Sequence, residues 1–226
     1  MNTPTLTLRI LRYLPGEIDP PRFQSFSVAA VEGTTVLDAL EDIRRTADDG
    51  LMYRHSCHHS SCGTCACRIN GTERLACTTR LQALGRGVVT LEPLREFPVV
   101  ADLVVDMCRF YTDIDSGWDY LRSVEDADPA QRLLRFEDCI ECGACVSVCP
   151  VDKLRPGFMG PAALAAVNAE RLKHPEREAD LLAFAASARG ERRCERALLC
   201  SRVCPTGVYP ARHILELRHR VKPQQP

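Results

Sequence analysis

Thirteen cysteines lie in 226 residues, in three groups and one outlier. Cys57, Cys62, Cys65, Cys67 and Cys77 form the first group, Cys139, Cys142, Cys145 and Cys149 the second, and Cys194, Cys200 and Cys204 the third. Cys108 stands alone. The number is odd, and the N-terminus shows no apolar signal-peptide stretch, so clustered thiolates read better as metal ligands than as disulfides. In the first group four residues separate Cys57 from Cys62, two separate Cys62 from Cys65, and eleven precede Cys77. That is the plant-type spacing for a 2Fe–2S cluster, in which one loop wraps three thiolates and a hairpin delivers the fourth. Gly63 lets backbone approach the sulfides, while Ser60, Ser61, Thr64 and Ala66 leave room and supply N–H donors. Zinc would more often take two close cysteine pairs, and a Rieske centre would need two histidines in place of two cysteines. His58 and His59 adjoin Cys57 and read as solvated loop residues. Cys67, two residues past Cys65 on a strand, reads as a buried small hydrophobe.

The second group has the bacterial run of Cys139, Cys142 and Cys145, then Cys149 followed by Pro150. The fourth cysteine of such a run ligates the other cluster of a two-cluster protein, so a partner set is required. Cys194, Cys200 and Cys204-Pro205 supply it. Crossing the sets gives Cys139, Cys142, Cys145 and Cys204 for a 4Fe–4S cluster and leaves Cys149, Cys194 and Cys200. A full run would have cysteine at position 197, which is Ala197. Three thiolates favour a 3Fe–4S cluster, with a four-iron cluster whose last iron binds water or hydroxide as the alternative. Cys108, with apolar neighbours in a helical reading, is expected to be a core residue.

The elements that must position these cysteines divide the chain. Leu6, Leu8 and Ile10 alternate with Thr5, Thr7 and Arg9 as a half-buried strand. Phe26 and Val28 suggest a short second strand after a turn at Pro20-Pro21. Thr34 or Thr35 caps a helix with Val36, Leu37, Leu40 and Ile43 on one face, ended by Asp48, Asp49 and Gly50. Tyr53 to Thr64 is a loop, and Ala66–Ile69, Asn70-Gly71 and Arg74–Ala76 read as a hairpin. Val88 to Leu91 completes a small mixed sheet. Pro93 and Pro98 punctuate a linker, after which the pattern turns helical over Val99–Tyr111, Gly160–Lys173, Glu178–Ala188 and Ala211–Arg220. No apolar run nears 18 residues, so no membrane span is expected.

The formal net charge of −1 gives no global argument for nucleic acid. Charge is nonetheless uneven. Residues 171–226 hold 12 Lys/Arg against 6 Asp/Glu. This basic tail suits an acidic partner, anionic headgroups or plain solvent.

Taken together, these residues resemble the iron–sulfur subunit of succinate dehydrogenase and fumarate reductase. The likeness covers nearly the whole chain. It rests on the order and spacing of the eleven ligands and on Ala197. The segment from Phe97-Pro98-Val99-Val100 to Val104-Val105-Asp106, and Gly160-Pro161-Ala162-Ala163, are similar to family segments as well. The resemblance implies an α+β chain. Its first part, residues 1–97, would be a plant-type 2Fe–2S ferredoxin domain of β-grasp form. Its second, residues 98–226, would be a helical, bacterial-ferredoxin-like domain with 4Fe–4S and 3Fe–4S clusters. It implies an electron relay between the FAD of a flavoprotein subunit and a quinone beside membrane-anchor subunits, at the cytoplasmic face of a bacterial inner membrane. The carbon chemistry would belong to the flavin. The chain departs from many members in two places. The aromatic segment after Cys149-Pro150 is replaced by Val151-Asp152-Lys153-Leu154, and Glu195 follows Cys194 where some members have histidine. Lys153, Arg155, Arg193 and Arg196 are the basic groups expected to face a quinone carbonyl or lipid headgroup. The alternatives are a soluble multi-cluster carrier, a subunit of a different flavin dehydrogenase, and a structural zinc protein.

Overall fold

The computed structural model describes residues 4–85, 87–118, 138–151 and 157–221. Two compact units emerge, one of residues 1–107 with 140–144, the other of 108–139 with 145–226.

The first unit is a five-stranded mixed sheet on one helix. Strands β1 (Thr5–Leu14), β2 (Ile18–Ala29), β3 (Ala66–Ile69), β4 (Thr72–Leu75) and β5 (Val88–Glu92) lie in the order β2-β1-β5-β3-β4. Among the described residues, only the β1–β5 pair is parallel. Leu6, Leu8 and Ile10 are buried on one face of β1, as their alternation requires. Helix α1 (Val36–Thr46) begins with a reciprocal cap. The Asp38 N–H donates to Thr35 Oγ1 at 3.2 Å, and the Thr35 N–H donates to Asp38 Oδ2 at 2.8 Å. Its Leu37, Leu40 and Ile43 are buried with Leu8, Ile10, Ile69 and Leu91. Each such side chain contributes about 1.5–3 kcal/mol when fully buried. The β3–β4 turn is Asn70-Gly71, both with positive φ (50° and 77°), the geometry that favours this dipeptide.

Two expectations about this unit are corrected. Pro20-Pro21 is no turn: β2 runs through both residues, and the chain reverses over 15–17 instead, where the Glu17 N–H meets the Leu14 carbonyl at 3.0 Å. β2 is an edge strand, and an edge tolerates residues without an N–H. Nor is Val99–Tyr111 one helix. β6 (Val99–Ala101) and β7 (Val104–Val105) form a hairpin, and only α2 (Cys108–Tyr111) is helical. Asp102 sits at the bend with φ 42°, and its buried carboxylate accepts from the N–H groups of Tyr13 and Met52, both at 2.8 Å. Arg12 completes the knot at 3.1 Å from Asp102 and pairs with Asp48. β-Branched pairs won over a helical period too short to be decisive.

The second unit is helical. After α3 (Ala144–Ser147) come α4 (Gly160–Lys173), α5 (Glu178–Ala185), α6 (Leu199–Arg202) and α7 (Pro210–Arg220). Twelve consecutive residues of α4, from Gly160 to Arg171, are buried. Its run of alanines lets other elements close around it on all sides. Leu164, Val167, Leu181, Ile214 and Leu217 make the core. A buried polar knot ties α4 to α5 and α7: Arg171 donates to Asn168 Oδ1, to Glu178 Oε1 at 2.9 Å and to Glu216 Oε1 at 2.9 Å. Asn168 also meets His213 at 3.0 Å. Cys108, expected in the core, is exposed, because the helix that would have buried it is only one turn long. Among the described residues, no helix is long and apolar enough to cross a membrane.

Candidate iron–sulfur centres

The first cysteine group sits on a tight loop and a hairpin. Cys57 Sγ accepts N–H bonds from Ser61 at 3.2 Å and His59 at 3.5 Å. These bonds, Ser61 first, pull the Cys57 thiol down to about 5. They form because His58, Ser60 and Gly63 all take positive φ (62°, 65° and 69°), which curls the backbone around the sulfur. Cys62 Sγ lies 3.2 Å from Thr64 Oγ1. Cys65 and Cys77 flank the β3–β4 hairpin, where the Ala76 N–H donates to the Cys65 carbonyl at 3.2 Å. Both are buried, and burial first, then a side-chain hydrogen bond with Cys77 and the Cys77 charge, pushes the Cys65 thiol up to about 12. Cys67 is 3% exposed, and burial raises it to about 12, in keeping with a core role. N–H groups aimed at one sulfur and buried thiols at another fit an anionic, iron-bound donor set, which is stable away from water where free thiolates are not.

Gly63 has a more specific role than room for sulfides. A Cβ there would stand 2.4 Å from the Ile140 carbonyl oxygen and 2.8 Å from Cys142 Cβ. The loop of the first group therefore packs backbone-to-backbone on the segment that carries Cys142.

In the helical unit, Cys149, Cys194 and Cys200 come together. Burial raises the Cys200 thiol to about 12, with further upward pressure from Cys149 and then Cys194. Cys149 and Cys194 pack on the core around Leu164 and Val167, whereas Cys139 and Cys204 pack on a separate group of Ala165, Ala166, Ala169 and Val208. Cys204 Sγ accepts the Val208 N–H at 3.3 Å. Cys145 lies on α3. Ala197 is exposed, between Arg196 and Leu198, both at positive φ (59° and 60°). Cys194 is fixed by Arg218, which donates to its carbonyl at 3.1 Å and to Glu191 Oε2 at 2.8 Å.

Of the basic residues singled out for a quinone or headgroup, Arg193 is occupied in donating to the Ala188 carbonyl at 2.7 Å, and Arg196 is exposed. Lys153 and Arg155 lie outside the described residues. Trp118 stacks edge-on against Phe184 at 5.7 Å and packs on the helical core. His58 and His59 are exposed as expected, yet each has a partner. His59 meets Ser61 Oγ at 3.1 Å, and His58 meets His55 at 3.1 Å beside Glu41. The Glu41–His55–His58 grouping went unread in the sequence, because a helix residue fourteen positions upstream joins it only through the fold.

Two sequence families match. Residues 7–112 match the family described as 2Fe-2S iron-sulfur cluster binding domain, and residues 135–208 match the 4Fe-4S dicluster domain. The chain is thus an iron–sulfur electron-transfer protein with two kinds of cluster domain. It is 37% identical over 218 residues to the fumarate reductase iron-sulfur subunit of Mycobacterium tuberculosis, spanning 91% of this chain and 88% of the relative. It is 33% identical to the succinate dehydrogenase iron-sulfur subunit of Coxiella burnetii over 94% of this chain and 95% of that one. A chain of the Mycobacterium smegmatis Sdh1 complex in the apo form superposes with a TM-score of 0.79 at 27% identity, covering 97% of this chain and 96% of its own. The chain belongs to the family of iron–sulfur subunits of fumarate reductase and succinate dehydrogenase. It is the electron-transfer component of an oxidoreductase.

Proposed function

We propose that Cys57, Cys62, Cys65 and Cys77 hold a 2Fe–2S cluster, that Cys139, Cys142, Cys145 and Cys204 hold a 4Fe–4S cluster, and that Cys149, Cys194 and Cys200 hold a 3Fe–4S cluster. Such clusters supply one-electron transfer, here between the FAD of a flavoprotein subunit and a quinone beside membrane-anchor subunits. The work divides between a two-iron domain in residues 1–97, to which the β6–β7 hairpin adheres, and a two-cluster domain in the remainder to 226. The complex sits at the cytoplasmic face of a bacterial inner membrane, and this subunit is peripheral through its anchor.

The chain's own contribution is threefold. It presents eleven thiolates, aims N–H donors at sulfur, and keeps water from Cys65, Cys77 and Cys200. The N–H bonds and the burial tune potential, since each changes the cost of adding negative charge to a sulfur-ligated centre.

The observation that carries the third assignment is that Cys149 and Cys194 lie near enough to Cys200 to act on its thiol, while position 197, where a full run has its further cysteine, is an exposed alanine. Electron paramagnetic resonance of the protein purified with its partners tests it. An oxidised three-iron cluster is paramagnetic, whereas oxidised two-iron and ordinary four-iron clusters are silent. A signal in the air-oxidised sample, joined by a two-iron signal on reduction, is expected. A silent oxidised sample would overturn the three-iron assignment. Ala197→Cys should abolish the oxidised signal by completing a four-iron site, and should lower that centre's potential.

A further inference from the structure

Three side chains outside the cysteine sets converge near the first of them. Glu41 projects from α1, and His55 and His58 from the loop that leads to Cys62. His55 Nδ1 lies 3.1 Å from His58 Nε2. Glu41 Oε1 lies 3.6 Å from the former and 3.5 Å from the latter. The two longer separations exceed an ordinary N–H···O bond, so direct hydrogen bonding does not account for the carboxylate's position.

The same triangle is the face of a coordination tetrahedron. Zinc binds imidazole nitrogen and carboxylate oxygen at about 2.0–2.2 Å, and at tetrahedral angles that puts donor atoms about 3.3–3.6 Å apart. Octahedral angles would put them closer, at about 2.8–3.1 Å. The two carboxylate edges of 3.5 and 3.6 Å match the tetrahedral case, and the edge between the two imidazoles, at 3.1 Å, is shorter. Two imidazoles and one carboxylate are also a borderline donor set of the kind that zinc accepts, with the fourth position left to water.

The surroundings hold the donors in place. The His55 ring stacks on Tyr53 with centroids 5.4 Å apart and planes at 28°, and the Arg44 guanidinium lies over Tyr53 at 5.9 Å. His58 meets His55 edge-on at 88°. Its backbone is in the left-handed region at φ 62°, a conformation that a residue with a side chain holds only when its surroundings require it.

We infer that Glu41, His55 and His58 form a binding site for one divalent transition-metal ion of the zinc class. The ion would bind His55 through Nδ1 and His58 through Nε2, leaving the proton of each ring on its other nitrogen. It would tie α1 to the loop at the residue next to Cys57. The inference stands on these side chains and does not depend on which clusters the cysteines hold.

The test uses the cluster-loaded protein, so that the cysteines are occupied. Zinc chloride is titrated in competition with a chromophoric chelator, and iron per chain is measured on the same samples. One equivalent of zinc should bind to the parent protein. His55→Ala and His58→Ala should each weaken binding by at least about 10-fold, the lower end of what losing even an outer-shell partner costs. Glu41→Gln should weaken it also, and His59→Ala, outside the triangle, should leave it unchanged. All four variants are compared at equal iron content, which separates loss of the site from loss of the fold. No zinc bound by the parent, or equal binding by parent and both histidine variants, would overturn the site. Low iron with zinc binding intact would count against the cluster assignment and leave this inference standing.

Discussion

The two cysteine neighbourhoods are built in opposite ways. Around Cys57 the ligand geometry is local. Residues 57–65 curl through three positive-φ positions, and the N–H groups of Ser61 and His59 reach a thiol at the surface. Around Cys200 it is global. Cys149, Cys194 and Cys200 span 52 residues; Cys149 and Cys194 pack on the core shared by α4, α5 and α7, and Cys200 lies on α6. The thiol preferences follow: Cys57 is drawn down to about 5 by hydrogen bonds, whereas burial pushes Cys200 up to about 12. A loop stiffened by its own backbone retains its ligands when distant packing weakens. A site assembled by packing fails with the core.

The strongest way to break this contrast is to loosen the helical core alone. Arg171 is 4% exposed at its side chain and binds Glu178, Glu216 and Asn168. Arg171→Met keeps the aliphatic stem but leaves Glu216 and a fully buried amide oxygen without their cation, and Glu178 with only the longer Arg220 pair at 3.9 Å. The expected loss is about 3 kcal/mol, the low end for breaking a buried ion pair, since both carboxylates retain contact with water. Denaturant titration should show it. Iron analysis with spin resonance should show the oxidised three-iron signal lost while the reduced two-iron signal stays. Parallel loss of both signals would mean that the first site also depends on the helical core.

A smaller change bears on the first site. Gly63→Ala places a Cβ 2.4 Å from the Ile140 carbonyl and requires a left-handed backbone at φ 69°. Overpacking and backbone strain together cost about 1–3 kcal/mol. Because the collision is with the Cys142 segment, the two-iron signal and the four-iron centre should both change, while the oxidised three-iron signal does not. A variant with all spectra unaltered would show that the loop yields freely, contrary to a stiff local construction.

How much of this was legible beforehand follows the same division. The spacing of Cys57, Cys62, Cys65 and Cys77, the Thr35 cap and the Asn70-Gly71 turn are local, and local patterns were readable. The pairing of Cys149 with Cys194 and Cys200 was reachable only through the known crossing of two-cluster runs, not through any period in the sequence. The hairpin at 99–105 is masked in the sequence because Leu103, Val104 and Met107 fall at helical spacing, and the deciding element, Asp102 buried against Tyr13 and Met52, is long-range. The same spacing masks Cys108. Glu41 and the two histidines belong to the same class, since nothing within three or four residues links the helix to the loop.

The finest test concerns tuning at the local site. Thr64 Oγ1 lies 3.2 Å from Cys62 Sγ. A cluster-bound Cys62 is a thiolate and can only accept, so the hydroxyl donates. Thr64→Val has nearly the same shape and removes only that donor. Reduction adds negative charge that the donor stabilises, so its loss lowers the two-iron potential. A net hydrogen bond of about 1 kcal/mol corresponds to about 40 mV for one electron. A potentiometric titration followed by spin resonance should therefore show a fall of a few tens of millivolts with the cluster type unchanged and the three-iron potential unmoved. A fall in both potentials would point to a general loosening, and no fall at all would leave the N–H bonds to Cys57 as the local control on this centre.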